Sequence, residues 1–192
     1  MAGDGYPGVI WIPAHADRFK VHASRQIDAI VLHITEGGTA DAQVTARNAF
    51  GIAKYLGESG KWNLSSSHYI VGRDGTIVQC VHHKDEAFHA NTENSYTIGI
   101  EHNVRAKHDN ALTGIQYWKS AELVTWLGEK LGLPVADRWY LQGHSEIDPK
   151  TTHRTCPQRA LDWAIYMSAV ENVRRSRNGI TPMTLYGPEP ML

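Results

Sequence analysis

Three residues of the sequence, His33, His144 and Cys156, have side chains suited to holding a catalytic metal ion. Histidine nitrogen and cysteine sulfur are common Zn²⁺ ligands, and a catalytic zinc keeps three protein ligands while water takes the fourth position. A single histidine at the end of a strand is more often structural, so the inference depends on all three residues together. The sequence therefore predicts one Zn²⁺ site built from two distant segments.

The third ligand of this predicted site has competitors. Cys156 could instead be a buried, unreactive thiol or the partner of Cys80, the second of the two cysteines in the chain. Asp148 and His153 precede Cys156 in the same segment and also carry groups that bind zinc. We expect Cys156 to be the ligand and both cysteines to be unbridged, because a thiolate that binds metal cannot also form a disulfide.

Apolar runs indicate the strands that position these residues. The run 27–35 is almost continuously apolar at its centre, as in a strand buried on both faces, and His33 lies near its carboxyl end, where open α/β sheets bind ligands. Asp74-Gly75 is a hairpin signal between two β-rich runs. Gly99 would let another group approach its strand closely. The further predicted strands are 68–71, 76–81, 96–101 and 138–142.

Helices are predicted between these strands. Thr39 can cap a helix that continues to about Tyr55, and Pro157 is favourable in the first turn of a last helix that ends near Arg175. A capping box at Thr113-Gly114-Ile115-Gln116 begins a helix that ends at Gly132. The fold class is therefore α/β (α+β), with a central mixed β-sheet flanked by helices.

The composition excludes some classes of function. Nineteen basic and 20 acidic residues give a net charge of −1 without a basic patch, so we expect no nucleic-acid partner. No apolar run is long enough to span a membrane, and the first residues lack the basic and apolar regions of a secretory signal. We expect a protein made in the cytoplasm that does not insert into membranes.

Six short segments in order resemble the type 2 N-acetylmuramoyl-L-alanine amidases, a family that includes phage endolysins, bacterial wall-recycling amidases and peptidoglycan recognition proteins. The matches extend over about residues 27 to 165, and as a set they are highly specific. They are Ile30-Val31-Leu32-His33, Ser67 to Ile77, Phe88-His89-Ala90, Thr97-Ile98-Gly99-Ile100-Glu101, Gly143-His144-Ser145 and Cys156-Pro157. The resemblance implies that His33, His144 and Cys156 bind Zn²⁺, the same residues that ligand chemistry selects.

The resemblance also implies catalytic roles for Glu101 and Arg154. Amide hydrolysis needs a group that takes a proton from water and returns it to the leaving amine, and Glu101 matches a carboxylate beside the metal in the recycling amidases. A surface glutamate at a strand end is the alternative. Some members use a tyrosine where this chain has Ser67, which favours the Glu101 variant. Arg154 occupies the position of a Lys or Thr that stabilises the oxyanion, and a solvated loop arginine is its alternative.

Other residues of the resemblance are assigned to the substrate or to the scaffold. His89 and Asn91 match a segment that lines the substrate groove, so we expect both to contact sugar or peptide. His68 alternates with the core face of its strand and is expected to be structural. Six further histidines are expected to be solvated, namely His15, His22, His82, His83, His102 and His108.

The expected function is Zn²⁺-dependent hydrolysis of the amide between the N-acetylmuramoyl lactyl group and L-alanine in peptidoglycan. The catalytic domain is 27–175, preceded by an arm, 1–26, packed on it and followed by an extension or linker, 176–192. We expect a monomer that acts on the cell wall as a phage endolysin, after release through a holin pore, or as a bacterial lytic enzyme. The alternatives are a non-catalytic peptidoglycan-binding module and a zinc amidase for another amide.

Overall fold

The computed structural model describes residues 4–35, 49–58, 64–104 and 111–182. The strands are β1 (Ile10–Trp11), β2 (Phe19–Lys20), β3 (Ala29–Ile34), β4 (Tyr69–Val71), β5 (Ile77–Gln79), β6 (Glu86–Ala87), β7 (Thr97–His102) and β8 (Leu141–Gly143). The helices are α1 (Phe50–Leu56), α2 (Gly114–Leu131), α3 (His144–Ile147) and α4 (Trp163–Arg177), with 3₁₀ turns at Ala16–Arg18 and Asn91–Tyr96. The predicted start of a helix at Thr39 lies outside the described residues.

Six of the strands form one mixed sheet in the order β1-β5-β4-β7-β3-β8. The β4–β5 pair is the predicted antiparallel hairpin, and every other pair in this sheet is parallel. β2 and β6 pair separately as a two-stranded antiparallel sheet. The predicted fold class, a mixed sheet flanked by helices, is confirmed.

The two faces of the sheet are covered differently. Because side chains alternate along a strand, the even-numbered residues of β3 face one layer and its odd-numbered residues face the other. Ile30, Leu32 and Ile34 pack into the main core with residues of α2 and α4. A second buried cluster joins α1 to β4 and β5. His33 therefore lies on the face opposite to α2 and α4.

The strand register places several chemically important residues at one level of the sheet. Leu32 of β3 pairs with Ile100 on one side and with Gly143 on the other. One residue further on, His33 pairs with Glu101, and His144 follows directly after Gly143 as the first residue of α3. All three lie at the carboxyl ends of parallel strands, where α/β sheets form their ligand crevices.

The long helices begin at side-chain caps. Thr113 accepts from the Gln116 backbone N–H, and the Gln116 side chain bonds back to Thr113, so the predicted capping box is confirmed and α2 ends before Gly132. The predicted start of the last helix at Pro157 is wrong. α4 begins at Trp163, because the Asp162 carboxylate accepts from the N–H groups of the two residues after Trp163.

The amino-terminal segment contributes one of the two edge strands of the large sheet. β1 pairs in parallel with β5, and the Ile12 N–H donates to the Gln79 carbonyl. The Trp11 ring stacks on His82 with ring centroids 4.4 Å apart. Within the described ranges, no helix is long and apolar enough to cross a membrane. The boundaries of the arm and of the carboxyl-terminal extension stay predictions.

Candidate metal centre

The side chains of His33, His144 and Cys156 form one compact buried cluster. One potential ligand atom from each residue lies within 4.8 Å of the other two. The imidazole centroids of His33 and His144 are 4.5 Å apart. Among the described residues, no other group of three His, Cys, Asp or Glu side chains meets in this way. The folded chain therefore brings together the three residues that sequence analysis selected.

Two local features bring Cys156 to His144. An added Cβ on Gly143 would lie 2.5 Å from the Cδ of Pro157, so the absence of a side chain at 143 lets the Cys156-Pro157 segment pack directly against the end of β8. The Ser145 N–H then donates to the Cys156 carbonyl at 2.8 Å. The Cys156 Sγ accepts from the Ile34 N–H at 3.3 Å, which fixes the thiol beside the end of β3.

The competing ligands occupy different places. The Asp148 Oδ2 lies 3.2 Å from the His144 Nε2, so Asp148 contacts His144. His153 is exposed, and its ring centroid lies 5.8 Å from that of His144. Neither belongs to the mutual cluster. Cys80 and Cys156 are both free and buried. The expectation of two unbridged cysteines is thus confirmed, and Cys156 is the third member of the cluster.

The His33 imidazole forms a hydrogen bond with the imidazole of His89. The His33 Nε2 lies 3.0 Å from the His89 Nδ1, and the His89 Nε2 lies 3.2 Å from the Thr97 hydroxyl oxygen. Burial lowers the pKa of His89 to about 3 and holds the pKa of His33 well below 6.5, so both rings are neutral near pH 7. Each ring then has one N–H donor and one acceptor nitrogen.

The His144 imidazole is held by a carboxylate. Asp148 is buried, and its Oδ2 accepts from the His144 Nε2 and, at 2.6 Å, from the Asn91 amide. Burial raises the pKa of Asp148, but the hydrogen bonds from the Lys150 N–H, Asn91 and His144 outweigh it and leave the pKa below its usual value. The ionised carboxylate fixes the proton of His144 on Nε2, which leaves the lone pair on Nδ1.

Two imidazole nitrogens and one sulfur form a donor set that can hold a divalent metal ion. Zn²⁺ is commonly bound by this combination in tetrahedral sites. Metal-binding histidines usually donate their second N–H to a carboxylate or to another acceptor, as His144 does to Asp148. The residues of the cluster therefore fit a bound metal in both their donor atoms and their hydrogen-bond partners.

The predicted catalytic residues lie around this cluster. Glu101 is half-buried on β7 as the register partner of His33, so its side chain points to the same face of the sheet. Arg154 is exposed, two residues before Cys156 in the chain. Asn91 has a positive φ of 50° and is linked to Asp148.

Two predictions about histidines are wrong. His102 and His83 were expected to be solvated but are buried. The His102 Nδ1 lies 2.8 Å from the His33 carbonyl oxygen, and its Nε2 lies 2.8 Å from the Ser120 hydroxyl. The His83 Nε2 hydrogen-bonds to the Tyr69 hydroxyl. Both nitrogens of the His102 ring and the Nε2 of His83 thus have a hydrogen-bond partner inside the fold, which offsets part of the cost of burial.

Sequence reasoning also missed three features around the cluster. These are the contact of His89 with His33, the support of His144 by Asp148, and the link from His102 to the β3 backbone. The i, i+4 spacing of His144 and Asp148 was a visible signal for the second feature, since such residues share a helix face. The other two features depend on contacts between distant segments, for which spacing gives no signal.

Residues 23–159 match the family model described as N-acetylmuramoyl-L-alanine amidase. The chain belongs to this family. It is 31% identical over 136 residues to N-acetylmuramoyl-L-alanine amidase A of Achromobacter lyticus, covering 70% of each protein. It is 30% identical over 114 residues to the 1,6-anhydro-N-acetylmuramyl-L-alanine amidase AmpD of Haemophilus influenzae, covering 55% of this chain and 59% of that relative.

Solved structures show the same fold. A selenomethionine derivative of AmpD superposes with a TM-score of 0.63 at 21% identity, covering 88% of this chain and 99% of that one. A mutant endolysin from Bacillus subtilis superposes with a TM-score of 0.65 at 19% identity, covering 85% and 98%. At these identities the likeness establishes the amidase fold alone. The evidence for a metal site in this family member is the arrangement of its own His33, His144 and Cys156 side chains.

Proposed function

We propose that this amidase-family protein is a Zn²⁺-dependent N-acetylmuramoyl-L-alanine amidase that hydrolyses the amide between the lactyl group of N-acetylmuramic acid and L-alanine in peptidoglycan. The observation that carries the proposal is the buried cluster of His33, His144 and Cys156 with Glu101 in register beside His33. The amidase names of the two curated relatives support the choice of substrate.

His33, His144 and Cys156 would hold the metal ion. A bound Zn²⁺ would supply Lewis acidity that polarises the scissile carbonyl and lowers the pKa of a water molecule. The protein keeps both imidazoles neutral and orients them, through His89 for His33 and through Asp148 for His144. Burial of all three side chains keeps bulk water away from the donor atoms.

Glu101 is the proposed proton carrier. It takes a proton from the attacking water and then delivers a proton to the nitrogen of the departing L-alanine. The products are a sugar strand with a free lactyl carboxylate and a stem peptide with a new amino terminus. The half-buried position of Glu101 suits this role, because its register places it beside His33 on one face of the sheet while the residue stays partly exposed to solvent.

The remaining predicted site residues surround the scissile bond in this proposal. Arg154 would donate hydrogen bonds to the negative charge that develops on the carbonyl oxygen, and its exposed position leaves it able to reach a bound substrate. His89 and Asn91 would line the groove that receives sugar or peptide. We further propose a monomer that acts on the cell wall, with an endolysin released through a holin pore as the favoured setting.

Product analysis after digestion of purified cell walls tests the proposed function. The zinc-loaded protein should release new amino-terminal L-alanine without new reducing sugar ends, and elemental analysis should find about one zinc per chain. The His33→Ala, Cys156→Ser double variant should lose both zinc and activity. Zinc retained by this double variant would overturn the ligand assignment.

The same experiment separates the proposal from its alternatives. A protein that binds cell walls without releasing L-alanine termini would be a recognition module. Cleavage of a simple acylated L-alanine amide, with intact walls left uncut, would indicate a zinc amidase for another substrate. Release of reducing ends would identify a glycosidase, and each of these outcomes would overturn the proposed reaction.

A further inference from the structure

A chain of hydrogen bonds fixes the proton positions behind His33. The Thr97 hydroxyl donates to the Glu93 carbonyl oxygen at 2.6 Å, so its oxygen is left to accept from the His89 Nε2–H. The His89 Nδ1 is then an acceptor, and the His33 Nε2–H donates to it at 3.0 Å. The lone pair of His33 is consequently on Nδ1, the nitrogen not engaged with His89.

The backbone is shaped to admit the His89 ring at this place. A Cβ added to Gly99 would lie 2.6 Å from the His89 Cγ and 2.8 Å from two further ring atoms, so any side chain at 99 would displace the imidazole. Gly99 is the register partner of Val31 on β3, two residues before His33. The ring therefore sits in a notch in β7 that leads directly to His33.

Further contacts hold the segment that carries His89. The backbone N–H groups of His89 and Ala90 both donate to the Asn94 side-chain oxygen, at 2.8 and 2.6 Å. The Asn94 carbonyl accepts in turn from the Arg25 guanidinium. Both the backbone and the ring nitrogens of His89 are thus engaged inside the protein.

We propose that His89 is a positioning residue that orients the His33 imidazole and fixes its proton on Nε2, so that His33 presents its Nδ1 lone pair to the metal ion. Thr97 sets the proton position of His89, and Gly99 provides its space. The inference rests on the proposed metal site and adds to it. This role is separate from the groove contact proposed above for His89, because it acts through the affinity for metal.

Zinc affinity measured by competition with a chromogenic chelator tests this role without using activity. His89→Phe keeps a ring in the notch but removes the acceptor nitrogen, so zinc should bind about 10–100-fold more weakly. His89→Asn can place an amide oxygen near the position of Nδ1 and should restore much of the affinity. Thr97→Val should weaken binding in the same direction as His89→Phe. His82→Phe is the matched control, because that ring stacks on Trp11 away from the cluster and its replacement should leave affinity unchanged.

Long-range ¹H–¹⁵N correlation spectra of the zinc-loaded parent give an independent test. His33 and His89 should both carry their proton on Nε2, and a proton on Nδ1 of His89 would overturn the inference. Unchanged zinc affinity in both His89→Phe and Thr97→Val would overturn it as well, even if KM for cell walls rises. If the parent protein binds no zinc, the proposed metal site is wrong and the inference falls with it. Should His89→Phe fail to fold, Thr97→Val and the spectra still decide.

Discussion

His33 and Glu101 are register partners on the adjacent parallel strands β3 and β7. Parallel pairing puts their side chains side by side on one face of the sheet, opposite to the face packed against α2 and α4. A potential metal ligand and a potential proton carrier are therefore held together by backbone hydrogen bonds, independently of any loop. The proposed roles of the two residues, metal binding by His33 and proton transfer by Glu101, can therefore be tested separately.

Replacement of Glu101 by Gln should remove turnover and leave metal binding intact. The amide keeps the size of the side chain but cannot accept a proton, so cleavage of cell walls should fall by about 10²–10⁴-fold. Zinc content and wall binding should match the parent, because Glu101 is not in the ligand cluster. Glu122→Gln, on α2 beside Lys119, is the control and should retain full activity. A Glu101→Gln protein as fast as the parent would show that another group carries the proton.

Asp148→Asn should weaken zinc binding through His144. The Asp148 carboxylate accepts hydrogen bonds from His144, Asn91 and the Lys150 N–H. In asparagine one of the two oxygens is replaced by an NH₂ group, which cannot accept, so at least one of these hydrogen bonds is lost. We expect zinc affinity to fall by about 10–100-fold. The free energy of unfolding should fall by about 1–3 kcal/mol for the unsatisfied buried group.

A chelator titration and urea unfolding of the Asp148→Asn protein measure these two quantities. Asp137→Asn is the control, since Asp137 accepts from the Trp139 N–H in an exposed turn. Equal zinc affinity in the parent and in Asp148→Asn would show that the carboxylate does not support His144.

The two cysteines should differ in metal binding, and Cys80 should resist alkylating reagents. Burial raises the pKa of Cys80 to about 12, so it should stay unmodified in the native protein at pH 8. After denaturation with a chelator, mass spectrometry should find two free thiols per chain. Cys156→Ala should abolish zinc binding, whereas Cys80→Ala should preserve it. A native disulfide, or equal loss of zinc in both variants, would contradict the assignment of Cys156.

Part of the fold could be predicted from the sequence alone. The buried strand β3, the β4–β5 hairpin and the capped helix α2 follow from apolar runs, a turn dipeptide and a capping box, all of which are local patterns. The start of α4 was misplaced, because Pro157 suits a first helical turn but Asp162 supplies the capping hydrogen bonds. Local rules allowed both positions, and the observed side-chain hydrogen bonds select the second.

The candidate site was predictable where residue type alone limits the chemistry. His33, His144 and Cys156 are recognisable from their side chains as potential metal ligands, and the resemblance to amidases implies that these three act together. The burial of His102 and the docking of His89 on Gly99 depend on which segments meet across the sheet. Gly99 did indicate a close approach, but the sequence could not identify His89 as the group that approaches.

Buried neutral histidines should make the metal-free protein unstable in mild acid. Burial lowers the pKa of His83 and His102 to about 4 and that of His89 to about 3, and it holds His33 and His68 well below 6.5. Below pH 6.5 the unfolded chain binds protons that the folded chain does not. Stability should therefore fall as the pH decreases from about 6.5 to 4, by up to about 1.4 kcal/mol per pH unit for each ring.

Urea unfolding of the metal-free protein at several pH values measures this slope. His102→Asn should reduce the slope by up to about 1.4 kcal/mol per pH unit, because one titrating ring is removed. Ser120→Ala is the matched control, since it removes the hydroxyl partner of His102 but keeps the ring, and its slope should equal that of the parent. A free energy of unfolding that is constant between pH 4 and pH 6.5 would contradict this account.

Digestion of purified peptidoglycan in ¹⁸O-labelled water tests the central claim most directly. If the zinc-loaded protein cleaves the amide between the lactyl group and L-alanine, mass spectrometry of the products will find one ¹⁸O atom in the lactyl carboxylate of N-acetylmuramic acid. The released stem peptides will begin with L-alanine and carry no label, and the His144→Ala protein will give neither product. Label at a sugar C1 or within the stem peptide would show that the protein cuts a different bond.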